Sequence, residues 1–192
     1  SCEGGSAGAA YEWVSKLDGG IPFDTAMPYQ AADGECKFDP AHNPSGLAMT
    51  CSTFGVPCVG LNQYPNATVT EYGAVKGMAN MQAEIYERGP IACGIDAVPI
   101  LDYQGGLFSD DKLKDKLVDH VVSVVGWELD DASGDTYWIV RNSWGEYWGE
   151  MGFIRVRAGS NDLGLESMCN WAVPEYATTN VPCWEGGENC AN

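Results

Sequence analysis

The chain has 192 residues, of which 45% are hydrophobic and 19% are charged, values typical of a folded globular protein and not of a disordered one. Its formal net charge of −17 argues against nucleic acid and anionic membranes as partners, because their phosphates would repel an acidic protein. No run of eighteen apolar residues occurs, so the sequence predicts no membrane span.

The first part of the chain contains one predicted helix and a long segment without clear periodicity. We predict the helix over residues 6–18, ended by Gly19-Gly20. Residues 21–72 are interrupted by prolines and show little periodicity, so we expect an irregular segment that disulfides tie down. The predicted apolar face of the helix consists of Ala9, Ala10, Trp13, Val14 and Leu17.

A second helix is predicted over residues 75–88, where Gly89-Pro90 ends it. After this helix the pattern changes to short strands, which we predict over 91–96, within 103–108 and over 153–157. Helix-rich material thus precedes sheet-rich material, which predicts an α+β protein with two lobes. The predicted apolar stripe of the second helix consists of Val75, Met78, Met81, Ile85 and Tyr86.

Two β-branched, aromatic-rich runs, 119–127 and 137–144, flank a cluster of turn-forming residues at 130–135. This pattern predicts a β-hairpin. In an antiparallel hairpin, residues equidistant from the turn face each other. The midpoint between His120 and Asn142 is residue 131, inside the turn, so we expect their side chains to meet at one edge of the sheet.

An imidazole beside a carboxamide supplies two of the three groups of a Cys-His-Asn catalytic site. Asn142 can accept the N–H of His120 and orient the ring without adding a charge, and Trp144 and Trp148 could shield that bond from water. The competing interpretation is a histidine that only caps the start of a strand. Periodicity alone favours this second interpretation.

The eight cysteines are scattered, with no C-x₂-C spacing, and the two histidines are far apart in sequence. We therefore predict no metal site and no cofactor, and interpret the cysteines as disulfides formed in an oxidising compartment. Cys51 and Cys58 can close a small loop, and Cys183 and Cys190 can close the tail. The sequon at Asn66 predicts glycosylation and agrees with secretion.

Two long blocks flank the predicted hairpin. They are Asp-His-x-Val-x-x-x-Gly-Trp from Asp119 and Tyr-Trp-Ile-Val-Arg-Asn-Ser-Trp-Gly-x-x-Trp-Gly-Glu-x-Gly-Phe from Tyr137. These blocks resemble the histidine and asparagine blocks of papain-like cysteine peptidases. The Ser1–Gly5 segment, Gly89-Pro90-Ile91 and Tyr103-x-Gly105-Gly106 also have counterparts, so the resemblance covers nearly the whole chain. Within the family, the chain looks most like the cathepsin X branch, also called Z.

The resemblance implies a two-lobe papain-like fold, with a helical lobe and an antiparallel β-barrel-like lobe, whose N-terminal part is missing from this chain. Residues 1–72 would be the remainder of the helical lobe with its long disulfide-tied loop. Residues 73–176 would form the β-rich lobe that carries the histidine and the asparagine. Residues 177–192 would form an acidic, cysteine-containing tail.

The resemblance also implies roles for seven residues. His120 would be the general base and the acid partner of a thiolate, and Asn142 would orient it. Gly4 and Gly5 would offer backbone hydrogen bonds to an extended peptide substrate, and Trp148 would form a wall on the leaving-group side. The substrate-binding residues are Gly4, Gly5, Asp119, Trp144 and Trp148.

The pairing of the cysteines is implied in the same way. Cys93 would pair with Cys169, and the two cysteines of the 51–58 loop would pair with each other. Cys2 and Cys36 would bond to cysteines of a segment that precedes the chain. They could instead pair with each other.

The departure from the family concerns the nucleophile. The family carries it in a Gln-x(5)-Cys-Gly-Ser-Cys-Trp block that opens a long helix, and nothing in this sequence resembles that block or its oxyanion-hole glutamine. Cys93 and Cys169 lack the helix N-terminus or cationic neighbour that activates a thiol. We therefore expect the nucleophile on a segment that precedes Ser1, and we expect this chain alone to be inactive.

These implications converge on a cysteine-type peptidase, active with its N-terminal segment, that cleaves peptides or proteins through a thioester. A cathepsin X-like carboxypeptidase in a lysosome or vacuole, or outside the cell, is the specific expectation. The alternative is a catalytically inactive papain-fold subunit that binds or supports a larger assembly. The missing nucleophile and the acidity favour this alternative, whereas the retained His120 and Asn142 argue against it.

Overall fold

The structure is a computed structural model that describes residues 4–24, 29, 31, 48–50, 59–110, 117–131, 133–179 and 189–191. The chain divides into two compact units, one comprising Ser1–Glu71 with Pro174–Asn192 and the other Tyr72–Val173. The lobe limits expected at residues 72 and 176 stay a prediction. In the described part of the chain, no helix is long and apolar enough to cross a membrane.

The described residues form two α-helices, eleven strands and two short 3₁₀ helices at Val98–Ile100 and Asp162–Gly164. The α-helices are α1 (Ala7–Lys16) and α2 (Met78–Arg88). The strands are β1 (Ile21–Pro22), β2 (Met49–Thr50), β3 (Val59–Leu61), β4 (Asn66–Val75), β5 (Ile91–Ile95), β6 (Leu107–Phe108), β7 (His120–Leu129), β8 (Thr136–Arg141), β9 (Phe153–Arg157), β10 (Cys169–Ala177) and β11 (Cys190–Ala191).

Both helices were predicted, but some of their end residues and some of the residues expected to be buried were wrong. Helix α1 begins after Ser6, whose side chain accepts the N–H of Ala9. Of its predicted apolar face only Val14 is buried, and Trp13 is 49% exposed. Helix α2 begins at Met78, because Val75 still belongs to strand β4.

The apolar stripe of α2 was predicted correctly at its centre. Met81 and Ile85 are buried, whereas Tyr86 is 85% exposed, so its assignment to the stripe was wrong. Tyr86 follows Ile85 directly, and neighbours in a helix point in directions about 100° apart. The helix ends at Gly89, whose N–H binds the carbonyl of Ile85.

The first unit contains α1 and two small β-pairings. Strands β11, β3 and β2 form a three-stranded antiparallel sheet, and β1 pairs with the start of β4. The expectation that residues 21–72 are irregular was wrong at the short strands β1, β2 and β3, and again from Asn66 onward, where β4 begins. Its first seven residues are half-buried or exposed, so the strand carries no apolar–polar alternation to identify it.

The second unit is built on one sheet in the order β4, β10, β5, β7, β8, β9 and β6. The pairs from β10 through β9 are antiparallel, and β6 pairs with β9 in parallel. The predicted strands at 91–96 and 153–157 and the predicted hairpin are confirmed. Two helices beside a mostly antiparallel sheet also confirm the α+β class.

The core of the second unit lies between α2 and the sheet. Met81 and Ile85 pack there against buried residues of β5, β7, β8 and β9. Trp138 of β8 is fully buried, and its indole N–H donates to the Glu166 carboxylate over 2.8 Å. A buried indole N–H without a partner would cost stability, so the carboxylate fixes the orientation of the largest core side chain.

One predicted disulfide is confirmed within the second unit. Cys93 of β5 and Cys169 of β10 are opposite each other in the strand register, and both are buried. Cys190 is also disulfide-bonded. Its predicted partner Cys183 lies outside the described residues, as do Cys2, Cys36, Cys51 and Cys58.

The Cys93–Cys169 bond closes a loop across a sequence separation of 76 residues. We expect the double variant Cys93→Ala/Cys169→Ala to lower the free energy of unfolding by about 4 kcal/mol, because the unfolded chain regains the entropy of that loop. Urea denaturation of the oxidised proteins measures the difference. A loss below about 1 kcal/mol would contradict this expectation, and reduction of the parent chain should destabilise it at least as much, since Cys190 is then also released.

Candidate active site

The candidate site lies where β7 begins and β8 ends. His120 is the first residue of β7 and pairs in register with Ile95 of β5, while Asn142 follows the last residue of β8. The predicted direct opposition of His120 and Asn142 across the hairpin was wrong. Ser123 pairs with Arg141, so three further residues along each strand would place Trp144 opposite His120.

The two side chains nevertheless meet in a hydrogen bond. His120 Nε2 lies 2.8 Å from Asn142 Oδ1, and the backbone N–H of Ser143 donates to the same oxygen over 2.7 Å. A backbone N–H is always a donor, so the atom that it meets is the amide oxygen and not the nitrogen. His120 Nε2 therefore carries its proton and donates it, which leaves the lone pair of the neutral ring on Nδ1.

Among the described residues, none is hydrogen-bonded to His120 Nδ1. The ring is thus held through one nitrogen and open at the other, an arrangement that a general base requires. Asn142 is half-buried, and its Nδ2 is buried without a partner in the described part of the chain. The amide contributes orientation and no charge.

Two tryptophans cover this pair. The Trp144 ring is stacked on His120, with ring centroids 5.1 Å apart and an angle of 26° between the planes. Trp148 meets Trp144 edge-on at 5.1 Å and 81°, an arrangement that aromatic quadrupoles favour. We call Trp144 and Trp148 the indole cover. Trp144 keeps 37% of its surface exposed, so the cover is itself open to solvent on one side.

The indole cover is anchored to the segment that follows β5. Trp148 Nε1 donates to the carbonyl of Ile100 over 3.2 Å, and Tyr103 packs behind Trp148 with 5.6 Å between centroids. The carboxylate of Asp119 accepts the N–H of Ala97 over 2.9 Å at the start of the same segment. Asp119, the residue before His120, therefore binds the start of this segment at Ala97, and Trp148 binds the segment further along at Ile100.

The loop from Asn142 to Gly152 returns on itself within ten residues. The N–H of Asn142 donates to Gly152 O over 2.9 Å, and the N–H of Gly152 donates to Trp148 O over 2.8 Å. Gly149 has φ of 58°, and a Cβ there would lie 2.6 Å from the carbonyl oxygen of Phe153 and 3.0 Å from the Tyr103 ring. Only glycine allows this close approach.

Three further predicted residues, Gly4, Gly5 and Asn66, belong to the first unit. Gly4 and Gly5 are exposed residues of the first unit ahead of α1, and their predicted role in binding substrate stays a prediction. Asn66 begins β4 and donates from Nδ2 to Tyr64 O over 3.1 Å, and its glycosylation also stays a prediction. No group of three or more potential metal ligands occurs in the described part of the chain.

The sequence interpretation missed two residues that contact Trp148, Ile100 and Tyr103, and it also missed Glu150, which binds Gly106 and Arg155. Tyr103 and Glu150 both lie in quoted motifs, but a motif does not reveal which backbone group a side chain will meet. Cys93 and Cys169, which the sequence interpretation rejected as nucleophiles, are bonded to each other and so hold no free thiol.

Comparison with known proteins matches the chain to cysteine proteases. The family model described as papain family cysteine protease matches residues 1–173. Cathepsin Z of Onchocerca volvulus is 40% identical over 182 residues, covering 91% of this chain and 56% of that protein. Cysteine proteinase 1 of Zea mays is 33% identical over 188 residues, covering 92% of this chain and 44% of that protein. The chain thus spans about half the length of the curated relatives it matches.

Solved structures agree with these sequence matches. Digestive procathepsin L 3 from the larval midgut of Tenebrio molitor superposes with a TM-score of 0.68 at 28% identity, covering 90% of this chain and 49% of that one. The bromelain protease of Ananas comosus in complex with the E64 inhibitor gives a TM-score of 0.65 at 28% identity, covering 90% and 71%. The papain-like fold predicted from the sequence is therefore confirmed.

The bond between His120 and Asn142 can be tested directly in this chain. In Asn142→Ala, the ring loses its acceptor, so we expect the Nε2 proton of His120 to exchange with water about five- to tenfold faster, the effect of a bond worth about 1–1.5 kcal/mol. NMR of ¹⁵N-histidine-labelled protein measures the exchange rate. Asn80→Ala is the matched control, because the Asn80 amide donates only to Lys76 O on exposed helix surface. Equal exchange in the two variants would contradict the assignment.

Proposed function

Because the chain belongs to the papain family of cysteine proteases, we propose that the complete protein hydrolyses peptide bonds through a thioester, with His120 moving the proton. The observation that carries this proposal is the ring of His120, held at Nε2 by Asn142 over 2.8 Å, open at Nδ1 and stacked under Trp144. A histidine that merely caps a strand needs no amide to select its tautomer and no indole cover.

The proposed reaction has two halves. In the first, a thiolate sulfur bonds to the carbonyl carbon of the peptide, and the C–N bond breaks as His120 Nδ1 gives its proton to the leaving amine. In the second, Nδ1 takes a proton from water, the water oxygen bonds to the thioester carbon, and the C–S bond breaks. The acid product leaves, and the thiolate and protonated ring are restored.

In both halves the Asn142 oxygen stays bonded to Nε2, so the ring does not rotate away between accepting and donating its proton. The indole cover lowers the chance that water competes for this bond. The substrate-binding roles of Gly4, Gly5 and Asp119 and the wall formed by Trp148 belong to the same proposal.

We place the nucleophilic cysteine on a segment that precedes Ser1 in the complete protein, so that this chain by itself is inactive. Two observations support this position. Cys93, Cys169 and Cys190, the cysteines of the described residues, are all disulfide-bonded. The sequence also contains no block similar to the one that carries the nucleophile in the family.

The proposed specificity is that of a cathepsin X/Z-like carboxypeptidase, supported by the 40% identity to Cathepsin Z of Onchocerca volvulus. Its substrates would be peptides or proteins with a free C-terminus, and it would act in a lysosome or vacuole or after secretion. The buried Cys93–Cys169 disulfide supports an oxidising route to that location. A pair of peptides with free and amidated C-termini distinguishes this specificity from endopeptidase action.

The alternative function is an inactive papain-fold subunit of a larger assembly. The strong acidity, −17 in formal charge, favours it, because such a surface suits a cationic partner. The orientation of His120 favours the enzyme instead.

Replacement of His120 in the complete protein tests the enzymatic role. We expect His120→Ala to lower kcat/KM for peptide hydrolysis by about 10³-fold or more, since proton transfer in both halves is lost. Glu84→Gln serves as the control and should keep the parent rate, because Glu84 pairs with Arg88 on α2. Hydrolysis at the parent rate in His120→Ala would contradict the proposal.

A thiol-directed epoxide locates the nucleophile. We expect the probe to label the complete protein on one cysteine outside residues 1–192, as found by peptide mapping, and to leave this chain unlabelled when expressed alone. Labelling of any of its eight cysteines would contradict that position. Failure to label the complete protein at all would favour the inactive subunit.

A further inference from the structure

The carboxylate of Glu150 lies in the turn directly after the indole cover and accepts three N–H groups. Arg155 donates from Nη2 to Oε1 over 2.6 Å and from Nε to Oε2 over 2.8 Å, and the backbone N–H of Gly106 donates to Oε1 over 2.9 Å. Gly106 is 44 residues away in sequence. Glu150 therefore joins the loop of Trp148 to a distant turn.

The turn that Glu150 holds carries Tyr103. The hydroxyl of Tyr103 donates to the carbonyl of Gly106 over 2.5 Å and accepts the backbone N–H of Arg155 over 3.4 Å. Its ring packs on Trp148 at 5.6 Å. Both groups that hold the Tyr103 hydroxyl, Gly106 and Arg155, are thus themselves bonded to the Glu150 carboxylate.

We propose that Glu150 is a positioning residue that holds Tyr103 behind Trp148 and so keeps the indole cover closed on His120. The importance of that closure for catalysis rests on the proposed function, whereas the contacts themselves do not. Glu150 touches neither His120 nor Asn142, and it acts on them through Tyr103, Trp148 and Trp144.

A carboxylate suits this task better than a neutral side chain. Its two oxygens accept a two-pronged pair from the guanidinium of Arg155 and still accept the Gly106 N–H, and charge-assisted bonds of this kind have strict geometry. The side chains of Glu150 and Arg155 are 32% and 36% exposed, so solvent reduces what the pair adds to overall stability. We therefore expect the pair to fix the local positions of the two segments more than to raise the free energy of unfolding of the chain.

The hydrogen bonds from Arg155 also lower the pKa of the Glu150 carboxyl below its usual range. The paired state is therefore fully present above the ordinary glutamate pKa and is lost as the pH falls through the lowered value. Glu150 remains ionised in mildly acidic solution, where the proposed peptidase would work.

Two indole N–H groups in this chain provide a measurement with an internal reference. Trp148 Nε1–H is bonded to Ile100 O in the cover, and Trp138 Nε1–H is bonded to Glu166 in the core. Opening of the cover exposes the first to solvent, whereas only global unfolding exposes the second. NMR of ¹⁵N-tryptophan-labelled chain gives the two hydrogen-exchange rates separately.

We expect Glu150→Ala to accelerate exchange of the Trp148 indole proton at least about tenfold and to leave the Trp138 rate unchanged. Glu150→Gln keeps one acceptor oxygen for Gly106 and should give a smaller acceleration, and it also serves if Glu150→Ala does not fold. Glu84→Gln breaks a matched two-pronged pair with Arg88, at 2.7 Å for both bonds, and should leave the Trp148 rate unchanged.

An unchanged Trp148 rate in both Glu150 variants would overturn the inference. Equal acceleration at Trp138 and Trp148 would also overturn it, because Glu150 would then act only on global stability. In the complete peptidase, a lower kcat at unchanged KM in Glu150→Gln would support positioning of the base. Since the exchange rates do not depend on turnover, failure of the proposed function would appear in His120→Ala and not in this measurement.

Discussion

The chemistry of the second unit depends on one amide oxygen. Asn142 Oδ1 accepts both the backbone N–H of Ser143 and the Nε2–H of His120, at 2.7 and 2.8 Å. The first bond fixes the orientation of the amide, and the second then fixes the tautomer of the ring. Neither bond involves a net charge on Asn142, so the amide orients the ring without placing a fixed charge beside Nε2. The lone pair at Nδ1 thus follows from the hydrogen bond at Nε2.

The hydrogen bond between His120 and Asn142 requires that the start of β7 and the end of β8 keep fixed positions. His120 begins β7 and Asn142 follows β8, and both strands rest on the core through buried residues such as Val122, Trp138 and Val140. The buried carboxylate of Glu166 satisfies the Trp138 indole, so the largest core side chain has one orientation. Close-packed interiors have low compressibility, so these buried residues resist displacement of the two strands.

The sequence predicted those parts that depend on local pattern. The hairpin strands and the meeting of His120 with Asn142 followed from periodicity and turn residues, and the Cys93–Cys169 pair followed from the family resemblance. The register did not, because Trp127 pairs with Trp138, which centres the ladder between positions 132 and 133 and not at 131, and the run of turn formers at 130–135 fits either centre. Strand β4 was missed because neither of its faces is buried throughout. The support of the cover was missed because it depends on backbone donors, such as the Gly106 N–H, that only the folded turn presents.

Two glutamate–arginine pairs show how position decides what one interaction does. Glu84 and Arg88 are four residues apart on α2, a spacing at which a pair forms within one helix, and Arg88 also lies over the Trp171 ring at 4.3 Å. Glu150 and Arg155 make an equivalent pair, but its carboxylate also reaches Gly106 across 44 residues of sequence. The pair itself is local, since its members are five residues apart, but the Gly106 bond can form only after the turn before β6 has come to the loop that carries Glu150. The three-bond arrangement of Glu150 therefore requires the tertiary fold. The contact that it supports is the packing of Tyr103 on Trp148.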